Sequence, residues 1–212
     1  MKNLDMFCIC LHDNLLDRVK KLQYIPVGVG PEKFSANWLL DSTEENISSK
    51  NKFYGEYTFH YWFWKNMLRK VSKDRWIGFC AYRRFWSNKN VTTSNNIYET
   101  ALNSVPDEWK NYDAIIGDQI HMSGIKWIKI IKYGKTALLR NPLACFKSKQ
   151  NIRFQFDMFH GNGVLDKAIE LLDDKDKYDF KNYVTHNTSY NQGNMFICKS
   201  KKIINSYYET IF

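Results

Sequence analysis

Residues 46–86, NISSKNKFYGEYTFHYWFWKNMLRKVSKDRWIGFCAYRRFW, decide the fold, because they gather much of the chain's aromatic content around a few polar side chains. The first half reads as a helix: Tyr54, Tyr57, Tyr61, Trp64 and Leu68 recur at alternating three- and four-residue steps, and Phe59, Phe63 and Met67 form a second apolar row. Such a helix is buried nearly all round, so its polar exceptions are informative. Glu56 and His60 stand one turn apart on the same side, where a buried carboxylate is costly unless paired. His60, Arg83 and Arg84 are its expected partners. Residues 76–81 are an almost unbroken apolar run, the pattern of a central strand covered on both faces. Tyr82, Arg83 and Arg84 cap that strand. Two adjacent cations at the carboxyl end of a buried strand stand where open α/β sheets bind ligands, and Arg is well shaped to grip phosphate or carboxylate oxygens. Successive strand residues point oppositely, so only one of the two is expected to reach such a ligand if the strand persists.

Composition sets the outer limits. At 212 residues the chain suffices for one domain with a substantial core, and 16% aromatic content suits a carbohydrate- or nucleotide-handling fold. The net charge of +9 predicts attraction to an anion: a nucleoside diphosphate, an acidic glycan, an anionic membrane or nucleic acid. Five cysteines are an odd number, and Cys8, Cys10, Cys80 and Cys198 lie in apolar strand-like runs, which reads as a reducing cytoplasm. The opening MKNLDMFCIC is too short and interrupted for a signal peptide, and no apolar run approaches a membrane span, so a soluble or peripheral protein is expected.

In chain order, residues 6–11 read as the first core strand, with His12 in its exit loop. His12 is either part of a base-binding edge or a loop residue capping the next segment. Residues 15–22 form an amphipathic segment and 24–29 a second strand, in which Pro26 argues for an edge or a terminus and Val27-Gly28 close the run. Ser48 or Ser49 is placed to cap the aromatic helix, whose open N-terminus is also a phosphate site. A helical piece comes next at 97–102 and a strand at 112–117, with Asp118 just beyond it as a metal ligand, a proton acceptor or a turn residue.

Residues 125–133, IKWIKIIKY, gather Lys126, Lys129 and Lys132 on one arc of a helix. Such a helix either lies on an anionic membrane or rests its apolar side on the core. A Gln155-Phe156-x-x-x-His160 pattern puts His160 and Asp157 near each other, for ligand contact or for structure, ahead of an amphipathic helix through Leu165, Ala168, Ile169 and Leu172. The charged stretch 173–179 reads as a solvated turn. Asn191, Gly193 and Asn194 lead into an apolar strand at 195–198, and Ser200 caps a last helix lined by Ile203, Tyr207 and Ile211.

Three motifs carry a resemblance. Residues 46–51 match Asn-Ile-Ser-x-Lys-Asn, 56–66 match Glu-x-Thr-x-x-Tyr-Trp-x-Trp-Lys-Asn, and 77–84 match Ile-Gly-x-Cys-His-Tyr-Arg-Arg with Ala81 in place of the His. In these the chain resembles bacterial capsular and exopolysaccharide glycosyltransferases long known only as a domain of unknown function. The likeness continues at Cys10-Leu-His12, at Tyr24-Ile-Pro-Val-Gly28 and over 190–208. It implies a GT-A-like, Rossmann-related α/β domain with a central mixed sheet over residues 1–212, which leaves a trimmed C-terminus open because the family often continues past an aromatic such as Phe212. In most GT-A enzymes the strand corresponding to 76–81 ends in an Asp-x-Asp that holds a divalent metal against the diphosphate. Tyr82-Arg83-Arg84 occupies that place here, so the expected cofactor is none, with Mg²⁺ or Mn²⁺ as the alternative.

The function so implied is transfer of a hexose from a nucleotide-diphosphate donor, a UDP-sugar first, to a growing or lipid-linked glycan. It would proceed in the cytoplasm or at the cytoplasmic face of the inner membrane. Expected donor contacts are His12, Val27, Gly28, Asn46, Asn51, Tyr82, Arg83, Arg84, Asn191, Gly193 and Asn194, with Asp118, His160 and Glu56 as candidate catalytic groups. Two other classes compete. A non-catalytic sugar- or nucleotide-binding subunit of an assembly complex is kept open by Ala81. A nucleic-acid module fits the basic charge, but the aromatics sit on periodic faces, with no zinc spacing or glycine-aromatic signature.

Overall fold

The structure, a computed structural model, describes residues 3–87, 96–122, 126–146, 150–191 and 193–212. The backbone gathers into two compact units, Met1–Gly117 with Gly193–Phe212, and Asp118–Gln192, within the span expected from length to form one domain.

The first unit is built on a mixed sheet. Its strands are β1 (Leu4–Cys10), β2 (Ile25–Gly28), β3 (Leu39–Leu40), β4 (Trp76–Ala81), β5 (Ala114–Ile116) and, late in the chain, Phe196–Cys198. In the second unit Gln119–His121 (β6) pairs antiparallel with Ser189–Asn191 (β7), which makes Phe196–Cys198 strand β8. The main sheet runs β3-β2-β1-β4-β8-β5 among the described residues. β1 is parallel to both β2 and β4, with Phe7 opposite Ile25 and Phe79, while β8 runs antiparallel to β4 and β5.

Period-two alternation splits the core. Leu4, Met6, Cys8, Cys10 and Cys80 face one side, where Val19 and Leu22 from the segment of helix α1 (Leu16–Lys21) cover them. Phe7, Ile9, Ile77 and Phe79 face the other, against the aromatic helix and Tyr208 of the last helix. Pro26 is tolerated in β2 because β3 pairs only with Val27 and Gly28; at Pro26 the strand has its partner on the β1 side alone, opposite Cys8.

The aromatic segment is not one helix. Asn51–Tyr54 (α2) stops at Gly55, whose φ of 53° is a left-handed conformation, and Tyr57–Asn66 (α3) starts afresh. The Asn51 amide holds the break by donating to the Gly55 carbonyl and the Thr58 hydroxyl. Phe53, in α2 ahead of the break, is 83% exposed. Neither serine caps α3: Ser48 donates through its hydroxyl and its N–H to the Asn46 side chain in a preceding 3-10 turn, and Glu56 opens the helix.

Downstream, Ile97–Thr100 (α4) is followed in the second unit by α5 (Trp127–Tyr133), α6 (Lys135–Arg140), α7 (Ile152–His160), α8 (Val164–Glu170) and α9 (Asp174–His186). The charged stretch 173–179 thus starts a helix instead of a turn. Lys177 reaches back to Asp174, and Val184 further along packs on Leu165 and Ile169. Ser200 caps the closing helix α10 (Lys201–Ile211) by accepting from Ile203 N–H, as its sequence position predicts.

His60 belongs to the core. It is fully buried, its Nδ1 lies 2.9 Å from the Tyr208 hydroxyl, and its ring centroid is 4.6 Å from that of Phe79. It is therefore committed to Tyr208, and the expected pairing with Glu56 is not made through it. Burial pushes its pKa down from 6.5 to about 3. The unfolded chain binds a proton at His60 that the folded chain refuses, so the associated stability is complete above pH 6.5 and drains away as pH falls toward 3. Urea titrations at a series of pH values are expected to show a shallower acid loss for His60→Leu than for the native chain. At neutral pH the variant should be weaker by about 1–3 kcal/mol, because the Tyr208 hydroxyl loses its partner.

Candidate active site at the carboxyl ends of the central strands

In the main sheet the chain winds outward from β1 to β2 and β3 on one side and then crosses to β4 on the other, so the β1/β4 boundary is the topological switch point. The residues following β1 and β4 meet there. Tyr82 N–H donates to the Ile9 carbonyl at 3.1 Å, and Arg84 N–H donates to the Ala81 carbonyl at 2.9 Å, closing a tight turn directly after β4. Strand alternation ends at Ala81. In consequence both Arg83 and Arg84, rather than one of them, line a single cavity of about 310 Å³ together with Leu11, Glu56, Tyr82 and Asn194.

Each wall has a local cause. Gly193 has φ +83°, and a Cβ there would stand 3.6 Å from Arg84 Nη1, so a glycine lets the backbone turn beside the guanidinium. The Arg83 guanidinium lies 4.9 Å from the centre of the Tyr82 ring. Glu56 opens α3 and brings a carboxylate into a site of cationic character. Burial pushes its pKa up, and the nearby charge of Arg84 partly restrains that rise. Arg84 is thus the electrostatic partner of Glu56.

At the rim of β1, His12 Nδ1 is 2.7 Å from Glu32 Oε2, and its ring stands edge-on to Tyr82 at 6.2 Å. Glu32 also accepts Asp13 N–H, and Asp13 accepts Ser35 N–H, so the exit loop is braced on itself. The Asp13 amide, then His12, hold the Glu32 carboxyl below its ordinary range.

Other expected donor contacts take different places. Val27 is wholly buried in the core, and Gly28 makes room for the Phe34 ring, 2.8 Å from where a Cβ would be. Asn46 and Asn51 shape the approach to α3, Asn51 also packing its Oδ1 against Gly30. Asn191 lies in β7 of the second unit, and its neighbour Gln192 lies outside the described residues.

Asp118 and His160 also belong to the second unit. Asp118 is an exposed residue between β5 and β6, and His160 is an exposed residue at the end of α7, its ring tilted against Phe156 with centroids 4.5 Å apart. Asp157 points inward and is 5% exposed; its Oδ2 is 3.7 Å from Arg140 Nη1, and Arg140 and Arg153 both grip Asp166 at 2.6 Å. Burial pushes the Asp157 carboxyl up, and the two arginines pull it back.

Among the described residues no three His, Cys, Asp or Glu side chains converge. The turn after β4 carries two guanidiniums, which supply no oxygen ligand and repel a divalent cation. Leu11 and Met195 were not among the expected contacts, although they line the cavity; the available signal was an apolar residue next to each strand end.

Sheet order, switch point and cavity define a GT-A-like α/β fold. Residues 7–212 match the family described as Domain of unknown function (DUF4422), and the chain belongs to that family. Among solved structures it is similar to the apo structure of the WbbM bifunctional glycosyltransferase, with 18% identity and a TM-score of 0.55 over 98% of this chain. This chain spans 35% of the WbbM chain. No curated protein matches it.

The raised pKa of Glu56 has a measurable sign. Below the ordinary glutamate value of 4.5 the group is protonated in both states and costs nothing; as pH rises, the unfolded chain ionises first and stability is lost. Glu56→Gln should therefore melt near the native chain at pH 4 and above it at pH 8, as followed by circular dichroism.

Proposed function

We propose that the chain is a hexosyltransferase that moves a sugar from a nucleoside-diphosphate donor, a UDP-sugar first, to a growing capsular, exopolysaccharide or lipid-linked glycan in a bacterium. The reaction is assigned to the cytoplasm or to the cytoplasmic face of the inner membrane. The observation that carries this reading is the pair Arg83 and Arg84 in one cavity at the switch point, with a carboxylate at the opening of α3 beside them. Charge develops on the diphosphate as the anomeric C–O bond breaks, and the two guanidiniums of the cavity are the groups that stabilise it. As the new bond forms, the acceptor hydroxyl must lose its proton. Glu56, the carboxylate in that cavity with a pKa raised by burial, takes it.

A thermal-shift screen of UDP-, GDP- and CMP-sugars should find a donor that raises the melting midpoint, since a ligand of the folded state stabilises it. With that donor, Arg83→Ala and Arg84→Ala are each expected to lose about a hundredfold or more in turnover, and Arg→Lys to rescue poorly, because a point charge does not reproduce the fork. Stabilisation by single-stranded RNA and by no sugar nucleotide would sink the assignment.

The cationic strand end also argues for transfer without a divalent metal. Turnover should survive EDTA; activity abolished by EDTA and restored by Mn²⁺, with near-normal turnover in both Arg→Ala variants, would move the chemistry to Asp118. A second reading, a non-catalytic binding subunit, is favoured by Ala81, which lines the cavity where the resembling family carries His. It predicts the thermal shift without hydrolysis of the donor.

A further inference from the structure

Residues 126–146 of the second unit contain Lys126, Lys129, Lys132, Lys135 and Arg140 and no Asp or Glu. None of the four lysines takes part in an ion pair among the described residues; Arg140 is spent on Asp157 and Asp166. The same stretch exposes large apolar side chains: Ile128 is 77% exposed, Ile131 60%, Leu139 83%, Leu143 60% and Phe146 62%. An ordinary surface helix would rest its apolar side on the core. In α5 only Ile130 does so, joining Ala137, Ala144, Phe154 and Met158.

At about 100° per residue, Trp127, Ile131 and Ile128 share one exposed arc of α5, with buried Ile130 on one flank and Lys132 and Lys129 on the other. Leu139 of α6 and Leu143 and Phe146 of the following turn continue the exposed apolar character. An arc of isoleucine and tryptophan edged by lysines suits the boundary between acyl chains and anionic headgroups.

We infer that residues 126–146 form a docking surface for an anionic phospholipid bilayer, with Trp127, Ile128 and Ile131 entering the headgroup boundary and Lys129 and Lys132 meeting lipid phosphates. Charge complementarity selects this occupant. A second copy docking through the same patch would bring like charges together, and nucleic acid has no use for an exposed aliphatic arc. The inference gives a surface to the membrane-face location proposed above, and it is tested apart from the transfer chemistry.

The experiment is sedimentation of the full chain with vesicles, in the absence of any sugar nucleotide. Vesicles of phosphatidylethanolamine with phosphatidylglycerol should pellet the native protein, salt should weaken the binding, and pure phosphatidylcholine should bind far less. Ile128→Ser with Ile131→Ser, and separately Lys129→Glu with Lys132→Glu, should each lower partitioning more than about tenfold. Both pairs are exposed, so unchanged melting curves are expected to show that the variants fold. Absence of pelleting with anionic vesicles at low salt, equal pelleting of variants and native chain, or lipid-free self-association abolished by the isoleucine pair would each overturn the proposal. A negative result with a sugar nucleotide still raising the melting midpoint would leave the transferase reading standing.

Discussion

The rings of α3 against the sheet are the contact on which the first unit depends. Phe63 meets Phe79 edge-on at 5.1 Å and Phe7 at 5.2 Å, and Phe59 lies 5.7 Å from Phe7. Phe7, Phe59, Phe63 and Phe79 are all essentially excluded from water, and each such side chain contributes about 1.5–3 kcal/mol on burial. This layer fixes more than stability. It ties α3 to β1 and β4, and the helix opens with Glu56 while β4 ends at the Arg83–Arg84 turn. One packing contact therefore sets both the carboxylate and the cations of the cavity. Trp62, through its N–H bond to the Thr43 carbonyl at 2.7 Å, ties the preceding loop to the same helix.

Elements whose signal is local and strong are legible in the sequence. The run Trp76–Ala81 appears as a central strand with its predicted ends, the final helix is capped by Ser200, and the chain contains the expected mixed sheet. The aromatic periodicity identified a buried helix, yet it extended that helix through Gly55, because hydrophobic spacing carries no information about a residue with φ of 53°. The stretch 173–179 misled for the opposite reason. Its charge suggests a turn, but the helix is held at Val184, ten residues beyond its start.

Within the cavity the sequence marks Glu56, Tyr82, Arg83 and Arg84 from residue type and place and Gly193 and Asn194 from the family resemblance, and the structure puts all six around one space. It did not reveal that both arginines line that space. The strand alternation stops at the turn closed by the Arg84 N–H bond to Ala81, a backbone event invisible in a two-residue alternation. Val27 and Gly28 are expected as donor contacts through the resemblance at Tyr24-Ile-Pro-Val-Gly28; in the structure Val27 lies in the core and Gly28 against the Phe34 ring.

Two guanidiniums lining one cavity repel each other, so an anion beside them is favoured electrostatically. Glu56 offsets part of that repulsion while it keeps its charge. Burial, however, works against the charge, and Arg84 works for it. On the proposed reading an incoming diphosphate would change the balance: its oxygens would compete for the arginines, the restraint on the Glu56 pKa would weaken, and the carboxylate would become a better proton acceptor as the donor binds. On that reading the side chains that hold the leaving group also tune the base, and the coupling follows from placing a strand end and a helix start against one aromatic layer.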